Sequence, residues 1–132
     1  MEIEYLKKFL VEFSDNVEFE HDLKKKNWFN IGGKSKVFYK AKNLKELVNF
    51  LKKIDNMEKI FILGAGSNTL ISDNLFDGVV IRLSKNFNNI SLLNENIIIA
   101  GSAVLDKSLS DFALNNNLSG FEFLSCIPGT VG

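Results

Sequence analysis

The run Lys59-Ile60-Phe61-Ile62-Leu63 passes directly into Gly64-Ala65-Gly66-Ser67-Asn68, and a further apolar run, Val79-Val80-Ile81, follows soon after. The first run reads as a buried strand by its apolar density and β-branched content. Glycines at a strand end let the backbone turn with positive φ and approach a ligand closely. Successive N–H groups in such a turn form an anion-binding nest. The spacing of Gly64 and Gly66 opens a dinucleotide fingerprint, but the third glycine would fall on Thr69. No long amphipathic helix fits before Val79, which argues against a standard Rossmann site. Ser67 and Asn68 add a hydroxyl and an amide that can bind phosphate oxygens without a lysine. Taken alone, the pentapeptide suits a tight turn with a self-capping Ser-Asn pair equally well.

Composition narrows the partners. The 132 residues are 45% hydrophobic and 24% charged, as expected of one soluble globular domain, and 16 basic side chains cancel 16 acidic ones. A neutral balance offers no field to draw the chain to nucleic acid or to an anionic membrane. The apolar runs are strand-sized, so no transmembrane helix is expected. The N-terminus, Met1-Glu2-Ile3-Glu4-Tyr5-Leu6, has early acidic residues and no apolar h-region, and Cys126 is the only cysteine. Both features fit a cytoplasmic protein without disulfides.

The rest of the chain alternates between helical and extended patterns. Ile3, Leu6, Leu10 and Phe13 predict an amphipathic helix over 2–13, and Val17, Phe19, His21 and Leu23 predict an extended segment. That segment is followed by Lys24-Lys25-Lys26 and by Asn27-Trp28-Phe29-Asn30-Ile31-Gly32-Gly33, ending in a Gly-Gly turn. Val37-Phe38-Tyr39 reads as a strand. Asn43 with Glu46 three residues on makes a capping-box-like start to a helix with apolar Leu44, Leu47, Val48, Leu51 and Ile54. A hairpin is expected from Ile90 to Leu93 and Ile97 to Ala100 around Asn94-Glu95-Asn96. Leu105, Leu109, Phe112 and Ala113 predict a last helix, stopped at Asn115-Asn116-Asn117.

Several residues invite chemistry that their context does not support. Gly33-Lys34-Ser35 resembles the end of a phosphate-binding P-loop, but the required first glycine is Trp28. His21 has no carboxylate or cysteine at ligand spacing, so no metal site is expected. Cys126 has no histidine near it in sequence and reads as a small buried thiol rather than a nucleophile. Ile127-Pro128-Gly129-Thr130-Val131-Gly132 is a second glycine loop, in which proline presets φ and Thr130 offers a hydroxyl. Two such loops could clamp one diphosphate; the alternative reading of this one is an ordinary turn.

In order along the chain stand Asn27 to Gly33, Leu63 to Asp73, Phe76-Asp77-Gly78-Val79-Val80-Ile81, Gly120-Phe121-Glu122-Phe123 and Ile127 to Gly132. Together these blocks resemble the N-terminal part of the UDP-N-acetylenolpyruvoylglucosamine reductase family, the FAD-dependent UDP-N-acetylmuramate dehydrogenases of bacterial peptidoglycan synthesis. The likeness spans about residues 20–132. It implies an α+β chain forming the N-terminal part of the two-subdomain FAD-binding fold of the vanillyl-alcohol-oxidase-like (PCMH) type. Residues 1–132 would then be one incomplete FAD-binding domain, about 17–90 forming a first subdomain and about 91–132 starting a second, with the substrate domain absent.

The resemblance also implies roles. Leu63, Gly64, Ala65, Gly66, Ser67, Asn68 and Thr69 would wrap the FAD pyrophosphate. Ile127, Pro128, Gly129, Thr130 and Gly132 would lie along the ribityl and flavin side. NADPH would be the reductant and a UDP-sugar the substrate, in cell-wall biogenesis, cell shape and division. The family's catalytic serine, arginine and glutamate have no counterparts here and are expected beyond residue 132. Arg82, the sole arginine, lies in a different block. Trp28 stands where the family commonly has threonine, and Asn74-Leu75 where it often has glycine. A sheet cut off in a cofactor loop is expected to leave apolar faces uncovered. The competing readings are a non-catalytic FAD- or nucleotide-binding module needing a partner chain, and a triphosphate site at Gly33-Lys34-Ser35. Flavin colour separates the triphosphate site from the other two.

Overall fold

The computed structural model describes residues 2–56 and 59–132, which divide into two compact units, Met1–Ser84 and Lys85–Gly132. In the first unit the helix α1 (Ile3–Phe9) is followed by a 3-10 turn (Val11–Phe13) and the strand β1 (Val17–Asp22). Then come a 3-10 turn (Lys24–Lys26), β2 (Lys34–Ala41), α2 (Leu44–Lys53), β3 (Ile60–Ile62) and β4 (Phe76–Leu83). The sheet order is β1-β2-β4-β3. β1 runs antiparallel to β2, whereas β2 and β3 both run parallel to β4.

The alternation of β2 and β4 divides the core between the two faces of this sheet. Val37, Tyr39, Ala41, Val79 and Ile81 share one face with Phe50 of α2, and all are fully buried. Tyr39 stacks on Phe50 at 3.7 Å between ring centroids, and Phe13 meets both rings edge-on. Each large ring or aliphatic side chain buried here contributes about 1.5–3 kcal/mol. On the opposite face Leu23, Phe38, Leu63 and Val80 form a second cluster, with Ile71 and Phe76 packed against it. That face is covered by irregular backbone rather than by a helix.

The capping signal at Asn43 is realised. Asn43 Oδ1 accepts from the Glu46 amide at 2.9 Å, and Asn43 Nδ2 donates to Glu46 Oε1 at 2.6 Å. The expected helix over 2–13 is shorter: it ends at Phe9 and tightens into a 3-10 turn, as helix ends commonly do when carbonyls lack partners. Leu6, Leu10 and Phe13 are nonetheless buried. The apolar stripe expected on α2 is also corrected. Phe50 and Ile54 go into the core, whereas Leu44, Val48 and Leu51 are exposed, because Tyr39 and Phe13 draw the Phe50 side of the helix inward. Nor is β3 a buried strand. Ile60, Phe61 and Ile62 lie at the sheet's edge and are 43%, 42% and 54% exposed, because no layer of this unit covers them.

In the second unit a 3-10 turn (Lys85–Phe87) precedes the hairpin of β5 (Ile90–Asn94) and β6 (Ile97–Ala100), then α3 (Asp106–Asn115) and a 3-10 turn (Glu122–Cys126). The asparagine run ends α3 as expected, and the geometry shows how. Asn117 takes φ 57, its amide donates to Leu114 O at 3.1 Å, and the Leu118 amide donates to Ala113 O at 2.9 Å. This is the paired bonding of a Schellman cap, with asparagine in the position usually held by glycine.

Candidate functional site

Parallel neighbours such as β3 and β4 need a long crossover between them, usually a helix. Here residues 63–75 make the crossing without one. A helix would have bound these amides internally; the loop leaves them uncommitted. Among the described residues, the amides of Gly64, Ala65, Gly66, Ser67 and Asn68 donate to no protein acceptor, and the side chains of Ser67, Asn68 and Thr69 make no hydrogen bond.

The loop is held from beneath. Leu63 donates its amide to Ile81 O at 2.8 Å and buries its side chain in the second core cluster. The Trp28 amide donates to Gly66 O at 3.0 Å, and the Gly33 amide to Ser72 O at 2.8 Å. Gly66 has φ 72, and a Cβ placed there would stand 2.2 Å from Lys26 O. Only glycine permits this approach of two backbones together with a left-handed turn. At Gly33 a Cβ would stand 2.3 Å from Asp73 O, so the Gly-Gly pair serves close packing against the crossover as much as a change of direction.

Asn27 fixes the supporting segment. It is buried, and its Nδ2 lies within hydrogen-bond distance of Leu23 O (3.1 Å), Lys24 O (3.4 Å) and Ile31 O (2.7 Å). The Lys26 ammonium sits 5.5 Å over the Phe38 ring. The residues at the loop that could receive an anion are therefore amides and hydroxyls, as the neutral charge balance foreshadows. The support of the loop by Asn27 and residues 26–28 escaped the sequence reading. Its available signal was the Asn27 to Gly33 block itself, whose asparagine and glycines are the residues that make these contacts.

In the second unit, residues 127–132 run beside residues 102–106. Asp106 N–H donates to Gly129 O at 3.2 Å, Val131 N–H to Val104 O at 3.0 Å and Gly132 N–H to Ser102 O at 2.9 Å. Thr130 bridges Leu105, and its hydroxyl donates to Gly132 O at 2.8 Å. The amides of Gly129 and Thr130 donate to no protein acceptor among the described residues. Ile127 and Pro128 are exposed.

Residues 35–132 match the family model described as FAD binding domain. The chain belongs to the FAD-binding-domain family. It is 64% identical over all 132 residues to the UDP-N-acetylenolpyruvoylglucosamine reductase of Pelagibacter ubique (strain HTCC1062), of which it covers 44%. It is 44% identical over 124 residues to the enzyme of the same name from Orientia tsutsugamushi (strain Ikeda), covering 92% of this chain and 40% of that protein. The crystal structure of UDP-N-acetylenolpyruvylglucosamine reductase from Thermus caldophilus superposes with a TM-score of 0.65 at 28% identity, over 88% of this chain and 39% of that one. The chain thus spans less than half the length of the relatives it matches.

The residues present fit an FAD diphosphate. A run of uncommitted amides and two free hydroxyls, on a turn whose Gly66 packs closely against Lys26 O, form a cradle that accepts anionic oxygens. The other candidates do not form a site. Lys34 is exposed at the start of β2, Ser35 is fully buried and the Gly33 amide is already used, so no phosphate fits the P-loop reading. His21 pairs with Glu18 and stacks on Phe38 at 4.2 Å, and no cluster of metal-binding side chains occurs among the described residues. Arg82 is half-buried on β4, opposite Lys40. Cys126 corrects the sequence reading: it is exposed at the end of a 3-10 turn, 3.7 Å from Ser125 Oγ, because none of the apolar side chains of that turn is buried.

Proposed function

We propose that this chain is the FAD-binding part of an enzyme that reduces UDP-N-acetylglucosamine enolpyruvate to UDP-N-acetylmuramate, with NADPH as reductant. The uncommitted amides of the β3–β4 crossover carry this reading, supported by the FAD-binding-domain match and by the names of the relatives. Gly64 to Thr69 would hold the diphosphate through N–H groups and hydroxyls, with Leu63 anchoring the loop to the core. Ile127, Pro128, Gly129, Thr130 and Gly132 would line the ribityl and flavin side. When bound, FAD supplies the hydride relay between NADPH and the enolpyruvyl double bond.

The task of this chain's residues is positional. Amides on a loop anchored at Leu63 and Gly66 need little reorganisation to meet the diphosphate, and a fixed diphosphate fixes the reach of the flavin ring. A cytoplasmic enzyme of peptidoglycan synthesis acting on a UDP-sugar completes the proposal; no helix among the described residues is long and apolar enough to cross a membrane. The test is flavin absorbance in purified protein, followed by NADPH oxidation dependent on the enolpyruvyl substrate. The full-length enzyme is expected to turn over and the 132 residues alone are not. Colourless protein that cannot be loaded with FAD overturns the reading.

A further inference from the structure

Beside the amide cradle stands a feature that diphosphate binding leaves unexplained. Trp28 is 63% exposed and Phe29 54% exposed, although both lie in an irregular segment braced by several hydrogen bonds. The segment is pinned by the Asn27 side chain to Leu23 O and Ile31 O, turned by Asn30 at φ 54, and closed by Asn30 Nδ2 donating to Trp28 O at 3.3 Å. The Trp28 amide is bonded to the carbonyl of Gly66, the central glycine of the cradle. A large apolar ring is thus presented to solvent on stiff backbone, one hydrogen bond from the loop assigned to the diphosphate. A rigid, exposed aromatic ring next to a nucleotide diphosphate site is suited to stacking on a planar base.

We propose that Trp28 is a positioning residue that stacks on the adenine of the dinucleotide whose diphosphate occupies Gly64 to Thr69. The proposal rests on the FAD reading above. A diphosphate in the cradle has a ring system on either side, and the two differ in what they can tolerate. The flavin ring must leave a face open for hydride transfer, whereas adenine undergoes no chemistry and can be covered. Stacking of a base on an aromatic side chain is sequence-tolerant and strong enough to set affinity.

The chain contains one tryptophan, so its intrinsic emission reports on Trp28 alone. ADP, which carries the adenine and diphosphate but no flavin, is titrated into the full chain while tryptophan emission and its accessibility to acrylamide are followed. Saturable quenching and protection from acrylamide are expected. Riboflavin, which lacks both adenine and diphosphate, is expected to do neither at the same concentrations. Trp28→Ala is expected to weaken ADP and FAD about tenfold or more, by the usual size of base–aromatic stacking, and Trp28→Phe to restore most of the loss. Circular dichroism of both variants separates misfolding from lost stacking, and the titration of unmodified protein needs no variant. FAD binding with no response of Trp28 to ADP, or a response to riboflavin instead, overturns the stacking proposal and leaves the FAD reading standing. Failure of the unmodified chain to take up FAD overturns both.

Discussion

The two glycine loops look alike in sequence and differ in how their backbone is used. In residues 63–69 the polar groups bonded to protein are mainly at the base, at Leu63 N–H and Gly66 O, while the amides from Gly64 to Asn68 stay uncommitted. In residues 127–132 the chain is laced to residues 102–106 by Gly129 O and the amides of Val131 and Gly132, and the Thr130 hydroxyl is turned back on Gly132 O. The first loop is a crossover between parallel strands and has no partner strand to satisfy it. The second lies along a neighbouring segment, which takes up the amides of Val131 and Gly132 and leaves only those of Gly129 and Thr130 uncommitted. Glycine content therefore signals a sharp or close backbone path; anion binding follows only where the amides on that path are left over.

The largest test of this contrast is Gly66→Val. A β-branched side chain at φ 72, with its Cβ 2.2 Å from Lys26 O, combines backbone strain with overpacking and should cost about 3 kcal/mol or more, together with loss of FAD retention. Gly120→Ala is the control. Gly120 also has positive φ (94), but nothing lies within 4 Å of its Cβ position, so only backbone strain of about 1 kcal/mol is expected. Chemical denaturation with parallel flavin titration reads both, and equal effects at the two glycines would break the distinction.

A subtler comparison sets Ser67→Ala against Thr130→Val. A hydroxyl free to meet an anionic oxygen is worth about 1.5–3 kcal/mol, so removing it at Ser67 should weaken FAD about tenfold or more. Thr130 already spends its proton on Gly132 O, and its loss should weaken FAD less and lower stability by about 1 kcal/mol. A larger drop in FAD affinity at Thr130 would reverse the assignment of the two loops. Lys34→Ala should leave flavin affinity within about twofold, as expected for an exposed side chain outside the cradle. Tight ATP binding lost in that variant would revive the triphosphate reading.

The units also part company in alkali. Burial holds the Tyr39 hydroxyl protonated up to about 12 from an ordinary 10.0, with a smaller contribution from the Glu46 charge. The folded state then binds the proton more tightly than the unfolded state. Stability from this group is complete below pH 10 and declines as pH rises toward 12. The second unit contains no tyrosine. Hydrogen exchange at high pH should therefore show the Tyr39 core loosening first, and Tyr39→Phe should flatten that dependence.

Much of the fold was legible locally. The Asn43 cap, the asparagine stop of α3, the hairpin around Glu95 and the apolar runs of β2 and β4 are short-range patterns, and short-range patterns carry their own geometry. The exposure of β3 and of Leu44, Val48 and Leu51 was not legible, because an apolar run announces that it can be covered and never by what. Phe50 won the inward side of α2 through its stack with Tyr39, a contact between elements that sequence spacing does not encode.

By itself the sequence determined that residues 63–69 form a glycine turn at a strand end and that no Rossmann helix follows it, since both depend on residue types and distances along the chain. Only the tertiary structure decided that this turn is a helix-free parallel crossover with open amides and that Asn27 and Gly33 brace it from below. Those outcomes depend on which strands become neighbours, and strand order is fixed by packing over the whole sheet rather than by any local segment.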